Sequence, residues 1–245
     1  STNFNPTALV LGSSTALGET EITNNITIGA AVRTITVNNN GNTGTMVTAG
    51  ILSGVISGAG TGGNALIKSG GGVLILGNSN TYTGSTRIDN GNVVVTSIGT
   101  GTSSSLGASG TVIYNPGNSD LNGLLYVGGG EIANRDLTFQ ASANFSANRV
   151  FRIDASGSGA LVWNTGTFVH TTRGDSVARV LTLDLRGANT DLNQMNLVLT
   201  NSTNASFANV LHIAKNDGGI WVLNPASANT FTGNIAVDGA TSVFS

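Results

Sequence analysis

The pentapeptide Asn80-Thr81-Tyr82-Thr83-Gly84 returns as Asn229-Thr230-Phe231-Thr232-Gly233 at an offset of 149, and an aspartate, Asp89 or Asp238, follows each copy after four more residues. No other feature restricts the fold as strongly, because in-line self-similarity points to stacked copies of one unit. Upstream, Leu66-Ile67-Lys68 with Gly71-Gly72-Val73-Leu74-Ile75-Leu76 matches Ile213-Ala214-Lys215 with Gly218-Gly219-Ile220-Trp221-Val222-Leu223 at an offset of 147. Lys68 and Lys215 are the only lysines in the chain, so two lysines are one position met twice.

Weaker matches extend the series toward the N-terminus. Val55-Ile56-Ser57-Gly58 pairs with Asp184-Leu185-Arg186-Gly187 at 129, Arg33 to Val37 with Arg149 to Ile153 at 116, and Glu21 to Asn24 with Glu131 to Asn134 at 110. Ala16-Leu17-Gly18 and Leu9 to Gly12 find partners in Ser105-Leu106-Gly107 at 89 and Val93 to Thr96 at 84. Chance matches would scatter, whereas these offsets rise steadily, as they do when a second copy carries loop insertions. The organisation expected is a unit over 1–91 with its clear block at 64–96, and a longer unit over 92–240 with a weaker block at 209–240. Residues 241–245 then start a further unit or end the chain. The insertions fall in 108–130, 160–180 and 188–208. Because the chain starts and stops near the same phase of its repeat, and opens at Ser1 without a signal sequence, it is read as processed or as a window of a longer array.

Within the units apolar residues recur with period two, as in Ile22, Ile26 and Ile28, or Ile35 and Val37, with Thr, Ser or Asn between them. That is the pattern of short half-buried strands. Gly and Asn pairs at Asn40-Gly41, Gly62-Gly63, Gly70-Gly71-Gly72, Asn90-Gly91 and Asn122-Gly123 supply turns. No helical stripe with caps is present. A sandwich does not produce in-line copies of one unit, but a right-handed parallel β-helix does. The fold class expected is therefore an all-β, right-handed parallel β-helix of ten or eleven coils, each of roughly 20 to 25 residues, forming a rod of about 50 Å at about 4.8 Å per coil.

Composition follows from that architecture. Only 9% of residues are charged, while Gly supplies 35 positions, Asn 30 and Thr 31, against about a quarter charged in a typical domain. Like side chains stack above like along a β-helix, which penalises columns of one charge and tolerates Thr, Asn, Ser and aliphatics. Net charge −2 leaves no basic stripe for nucleic acid. No apolar run exceeds four residues, as at Val73 to Leu76, so no membrane-spanning helix is expected. Cys is absent, which removes disulfides and thiolate sites. With few groups to titrate, stability is expected to vary weakly with pH.

The candidate functional residues read mainly as structural. Equivalent placement of Lys68 and Lys215 argues for capping turn carbonyls or for salt bridges rather than catalysis, and Asp89 and Asp238 read as turn residues. Asn80, Thr81, Tyr82, Thr83 and Gly84, with Asn229, Thr230, Phe231, Thr232 and Gly233, are the remaining repeat positions. His170 and His212 lack metal-ligand spacing, so no metal site, cofactor or catalytic residue is assigned. Asp184 and Arg186 would share one face of a strand and, with Asp191, form the densest charged cluster. That cluster reads as a surface ion pair before it reads as part of a polysaccharide-cleaving groove. Trp163, Trp221, Tyr114 and Tyr126 are read as core before carbohydrate platform. The sequons at Asn25, Asn144, Asn201 and Asn204 are expected by chance.

The block Ala65 to Val95 closely resembles the autotransporter-associated β-strand repeat. Lys68, Gly70, Gly72, Leu74, Leu76, Asn80 to Gly84, Gly91 and Val93 stand at the family's Leu-x-Lys, Gly-x-Gly, Leu-x-Leu, Asn-Thr-Tyr-Thr-Gly and Gly-x-Leu positions. Ile213 to Gly239 is a second copy departing at Asp217, Trp221 and Pro225. The resemblance implies a non-catalytic passenger stalk, secreted or held at the bacterial outer surface, that displays or mediates adhesion and self-association. Its partners would be adjacent coils of the same or neighbouring chains, surface glycans or a host receptor. A virion fibre, spike or capsid-decorating protein is the alternative, and a β-helix polysaccharide lyase or hydrolase a third.

Overall fold

Alternation of apolar and small polar residues lets a strand bury one face, and in-line copies let each strand find its partner one coil on. In the computed structural model the described residues are 4–16, 18–39, 49–115, 122–140, 148–171, 179–202, 209–238 and 243–244. They form a parallel β-solenoid, and among them there is no helix. Its first side is a seven-stranded sheet running from Ala8–Leu11 to Phe168–His170. The second is a nine-stranded sheet running from Thr20–Ile22 to Ile235–Val237. Strands of a third side follow those of the second in the chain. They are a pair, Ile26–Thr27 and Ile56–Ser57, and then five strands from Gly129–Ala133 to Val243–Phe244. All the strand pairings within these sheets are parallel, as coil-on-coil stacking requires.

The coil count is lower than ten or eleven, since the longest sheet has nine strands among the described residues. The reason is coil length. Within that sheet Val73 pairs with Asn92, and Ile213 with Ile235, so these coils are as short as the repeat block itself suggests. Elsewhere Asn92 pairs with Gly123, and Arg149 with Leu181, so the chain runs about half as far again before it returns to the same side. Those longer coils carry wider turns or a strand on the third side. Nine rungs at about 4.8 Å give a rod of roughly 40 Å.

The core is built from columns. Leu52, Leu76, Val95, Tyr126 and Ala155 stack in register and are all at most 1% exposed. Each such large side chain contributes roughly 1.5–3 kcal/mol by leaving water. Outside, charges stack with their opposites: Arg152 lies in register with Asp184, and Asp154 with Arg186. The low charge content and this pairing have one cause, the close spacing of neighbouring rungs.

The two repeat blocks do not occupy the same sides. The strand with Lys68 lies in the seven-stranded sheet and Val73–Leu76 in the nine-stranded one. Their counterparts, Val210–Lys215 and Ile220–Leu223, lie in the nine-stranded and five-stranded sheets. The flanks behave alike, with Arg33–Val37 and Arg149–Ala155 one sheet apart in the same sense, and Thr20–Ile22 and Gly129–Ala133 likewise. The exception is Ile56–Ser57, whose counterpart segment lies in Val180–Arg186. The repeat is thus a two-strand cassette that can be seated on different pairs of sides. Much of the extra length of 92–240 is strand, including Val112–Tyr114, Gly159–Trp163, Phe168–His170 and Leu192–Met195. Parts of the stretches 108–130, 160–180 and 188–208 lie outside the described residues, as do the turn at Asn40-Gly41, the sequons at Asn144 and Asn204, and most of 241–245.

Candidate functional site

The lysine and the leading asparagine of each repeat spend their polar groups on backbone of the stack, while Thr81, Thr83, Thr230, Thr232 and Asp238 are exposed. Lys68 stands in an otherwise apolar and aromatic column, in register with Ile35 below and Ile88 above, and is 1% exposed. A charge there survives only if it is satisfied. Its Nζ donates to the carbonyls of Ser69 (2.9 Å), Gly70 (2.7 Å) and Asn90 (2.9 Å). Lys215, in register with Leu185 and Val237 and fully buried, donates in the same way to Asn216 O and to Asp217 O (2.8 Å). Each ammonium therefore caps the two carbonyls that follow it as the chain turns. Burial lowers the Lys68 pKa to about 7 and lowers that of Lys215 as well. The turn itself needs a left-handed residue, supplied by Gly70 (φ 73°) in one copy and by Asp217 (φ 68°) in the other.

Asn80 and Asn229 also act alike. Asn80 Oδ1 accepts Ile56 N–H (2.8 Å) while Thr81 N–H donates to Ile56 O (2.9 Å). Asn229 Oδ1 accepts Leu199 N–H (2.8 Å) while Thr230 N–H donates to Leu199 O (3.0 Å). Both amides thus clamp one residue of the preceding coil at two points. Thr83 N–H continues the contact to Gly58 O, and Thr232 N–H donates to Asn201 Oδ1. Gly84 and Gly233 allow close approach, since a Cβ on Gly233 would lie 2.1 Å from Leu211 O. Tyr82 is fully buried with its hydroxyl 2.6 Å from Thr86 Oγ1, and burial raises its pKa to about 12. Phe231, half-buried, lacks that hydroxyl and packs against the core.

Asp89 N–H donates to Lys68 O and Asp238 N–H to Lys215 O, the same bond in each copy. The Asp89 carboxylate takes a bidentate pair from Arg87 (2.7 and 2.8 Å) and the amide of Asn115 (2.9 Å). Asp184 is 2% exposed and more enclosed than a surface ion pair. It accepts Arg186 Nε (2.6 Å), Arg152 Nε (3.3 Å) and Asn216 Nδ2 (2.6 Å), and Arg186 reaches Asp217 at 3.7 Å. Asp191 is exposed and belongs to a separate turn. Trp163, Trp221 and Tyr114 are fully buried and Tyr126 is 1% exposed, so these four side chains form no surface platform. Among the described residues no three His, Asp or Glu side chains converge as a metal site, and no helix is long and apolar enough to cross a membrane.

Arg135, outside every repeat match, and Glu131, which enters only the weak match of Glu21 to Asn24 with Glu131 to Asn134, tie distant segments together. The Arg135 guanidinium, fully buried, makes six hydrogen bonds: to the carbonyls of Ile98, Gly99, Gly107, Ser109 and Gly110, and to Ser104 Oγ. Burial lowers its pKa. The Glu131 carboxylate spans the N–H groups of Ile98 (2.7 Å) and Gly99 (2.8 Å). Together they hold the segment 98–110 against the coil that follows. His170, in register with Phe139 and 3% exposed, lies edge-on to Phe139 and Phe168. Burial lowers its pKa to about 4, so the unfolded chain binds the extra proton first as pH falls. Stability is then full above about pH 6.5, falls as pH drops toward 4, and loses up to about 3 kcal/mol. Urea titrations between pH 7 and 4 should show this slope in the wild type and a flatter one in His170→Phe. An equal slope in both would discard the assignment.

Against known proteins, a family model described as Passenger-associated-transport-repeat matches residues 66–95 and 213–241. Both matches coincide with the two cassettes whose lysines and asparagines make equivalent bonds. The chain is also similar to an adhesin of Brucella suis biovar 1 (strain 1330), the BmaC autotransporter, with 31% identity over 201 residues. That alignment covers 80% of this chain and 5% of the relative. No solved structure matches.

Proposed function

We propose that this chain, an autotransporter-associated repeat protein, is a non-catalytic β-solenoid segment of an adhesin-like passenger, exposed at the bacterial surface, where it displays adhesive parts and contributes to adhesion and self-association. The observation that carries this reading is the equivalence of the two cassettes. Lys68 and Lys215 cap the carbonyls of their own turns, and Asn80 and Asn229 bond to the preceding coil, so in both copies these polar groups are spent on the backbone of the stack itself. The repeat match and the adhesin relative support a passenger, and neither points to a virion fibre. Surface glycans or a host receptor are the ligands proposed for exposed turns.

The test is display. Inserted in a passenger on a heterologous bacterium, with an epitope at its N-terminal end, the chain should bring the epitope to the surface and raise adherence to host cells. An epitope that stays inside would sink the passenger reading. Release of reducing ends from a glycan panel by the purified chain would sink the non-catalytic one.

A further inference from the structure

We propose that the outer face of the five-stranded sheet is a docking surface for a second copy of this chain, with the two solenoids parallel and related by a two-fold axis along their length. Two outward columns make this face. One is Gly130, Ala160, Leu192 and Ile220, and the other is Ile132, Val162, Gln194 and Val222. The intervening residues Leu161, Trp163, Asn193, Met195 and Trp221 are buried, which fixes the outward set. The two columns hold no charged residue, and the face leaves Ile132 72% and Leu192 52% exposed. An exposed apolar sheet face of this kind is the signature of an interaction site.

Three features select a copy of the same chain. An isologous interface sets a patch against itself, so it needs a patch without net charge, and these columns satisfy that. A two-fold axis between the columns places Ile132 over Gly130 of the other copy, Val162 over Ala160 and Val222 over Ile220. The most protruding side chain therefore meets the position with none, and a Cβ at Gly130 would have no neighbour nearer than 3.5 Å.

The rims are also complementary. The downstream rim is a ladder of amides, Asn134, Asn164, Asn196 and Asn224, each following an in-register strand end, with Asn196 Nδ2 donating to Asn164 Oδ1 at 3.1 Å. The upstream rim carries exposed Asp191 and Asp217. Asn196 Nδ2 is committed to Asn164 Oδ1 and Gln194 Oε1, so the amide this rim presents outward is that of exposed Asn224; parallel pairing brings Asp217 of the other copy beside it, whereas antiparallel pairing sets the amide rim against itself. A groove of about 390 Å³ beside the ladder, lined by Asn164, Thr165, Thr167, Asn196, Val198 and Thr200, gives room for the other copy's 187–191 turn. Four strands about 4.8 Å apart and about 15 Å long make a face of roughly 300 Å², well below the ~800 Å² per partner of stable complexes, so a single segment should pair weakly and a longer array more tightly.

This deepens the self-association part of the proposed function but stands on the exposed face alone, so it is tested apart from adherence. Sedimentation velocity across the micromolar range should show a concentration-dependent dimer. The double variant Ile132→Lys with Leu192→Lys should weaken it roughly tenfold or more, while Ile75→Lys on the nine-stranded sheet leaves it unchanged. Circular dichroism checks that each variant keeps its β-structure. Because the chain has no cysteine, orientation can be read by cross-linking: mixing Leu192→Cys with Gln194→Cys chains should give the mixed disulfide. A wild type that stays monomeric throughout, a dimer indifferent to both lysines, or preferred cross-linking of Ala160→Cys to Leu192→Cys would each overturn the proposal.

Discussion

Replacing Arg135 by Met is expected to cost about 4 kcal/mol or more and to open the segment 98–110 before the rest of the solenoid. The guanidinium is fully buried and is bonded to five carbonyls and one hydroxyl. Met fills similar space and removes a buried charge, which is favourable. However, it leaves those carbonyls without a donor at about 1–3 kcal/mol for each one that water cannot reach. The unpaired acceptors win unless the segment swings out to solvent, and that outcome is itself the signature to look for. Limited proteolysis or hydrogen exchange should place the first opening between Ile98 and Gly110, with Glu131 losing its two N–H partners at the same time. Lys at 135 offers three donors on one point rather than a planar fork, so it should recover only part of the loss. If Arg135→Met leaves both protection in 98–110 and the unfolding midpoint unchanged, the segment is held by other contacts.

Arg135 also shows where sequence reading stops. Lys68, Lys215, Asn80 and Asn229 stood out because each position occurs twice, and repetition separates structural use from catalysis. Arg135 occurs once, and its acceptors are backbone carbonyls of distant segments, from Ile98 to Gly110, which carry no side-chain signature. The parallel all-β architecture was legible because period-two strands and in-line copies leave few alternatives. The coil number was not, since the repeat block has short coils and the segments between blocks add turns and third-side strands. The displacement of the second cassette by one sheet was equally hidden: a sequence offset reports how far the chain has run, not how far it has turned. The aromatic residues needed coordinates too, because alternation alone does not say which face of a strand is inside.

The second large effect is expected at Asn80, and the comparison with Asn229 makes it specific. Asn80 is fully buried and uses its whole side chain: Oδ1 accepts Ile56 N–H and Nδ2 donates to Ser105 O, both at 2.8 Å. Its backbone exchanges two further bonds with Ser104, at 2.8 and 3.1 Å. Asn80→Ala keeps the backbone pair but strands a buried donor on one coil and a buried acceptor on the next, for about 2–4 kcal/mol. Asn80→Asp keeps the acceptor for Ile56 but turns a carboxylate oxygen toward Ser105 O, so it should be no better than Ala at neutral pH and should recover as acid protonates it. Asn229 makes the equivalent bond to Leu199 N–H from a half-buried site that water can reach, so Asn229→Ala should cost only about 1 kcal/mol. Chemical denaturation of the three variants would check this ordering. Equal losses at Asn80 and Asn229 would mean that the Oδ1 bond each makes to the preceding coil, rather than the depth at which each amide is buried, sets the loss.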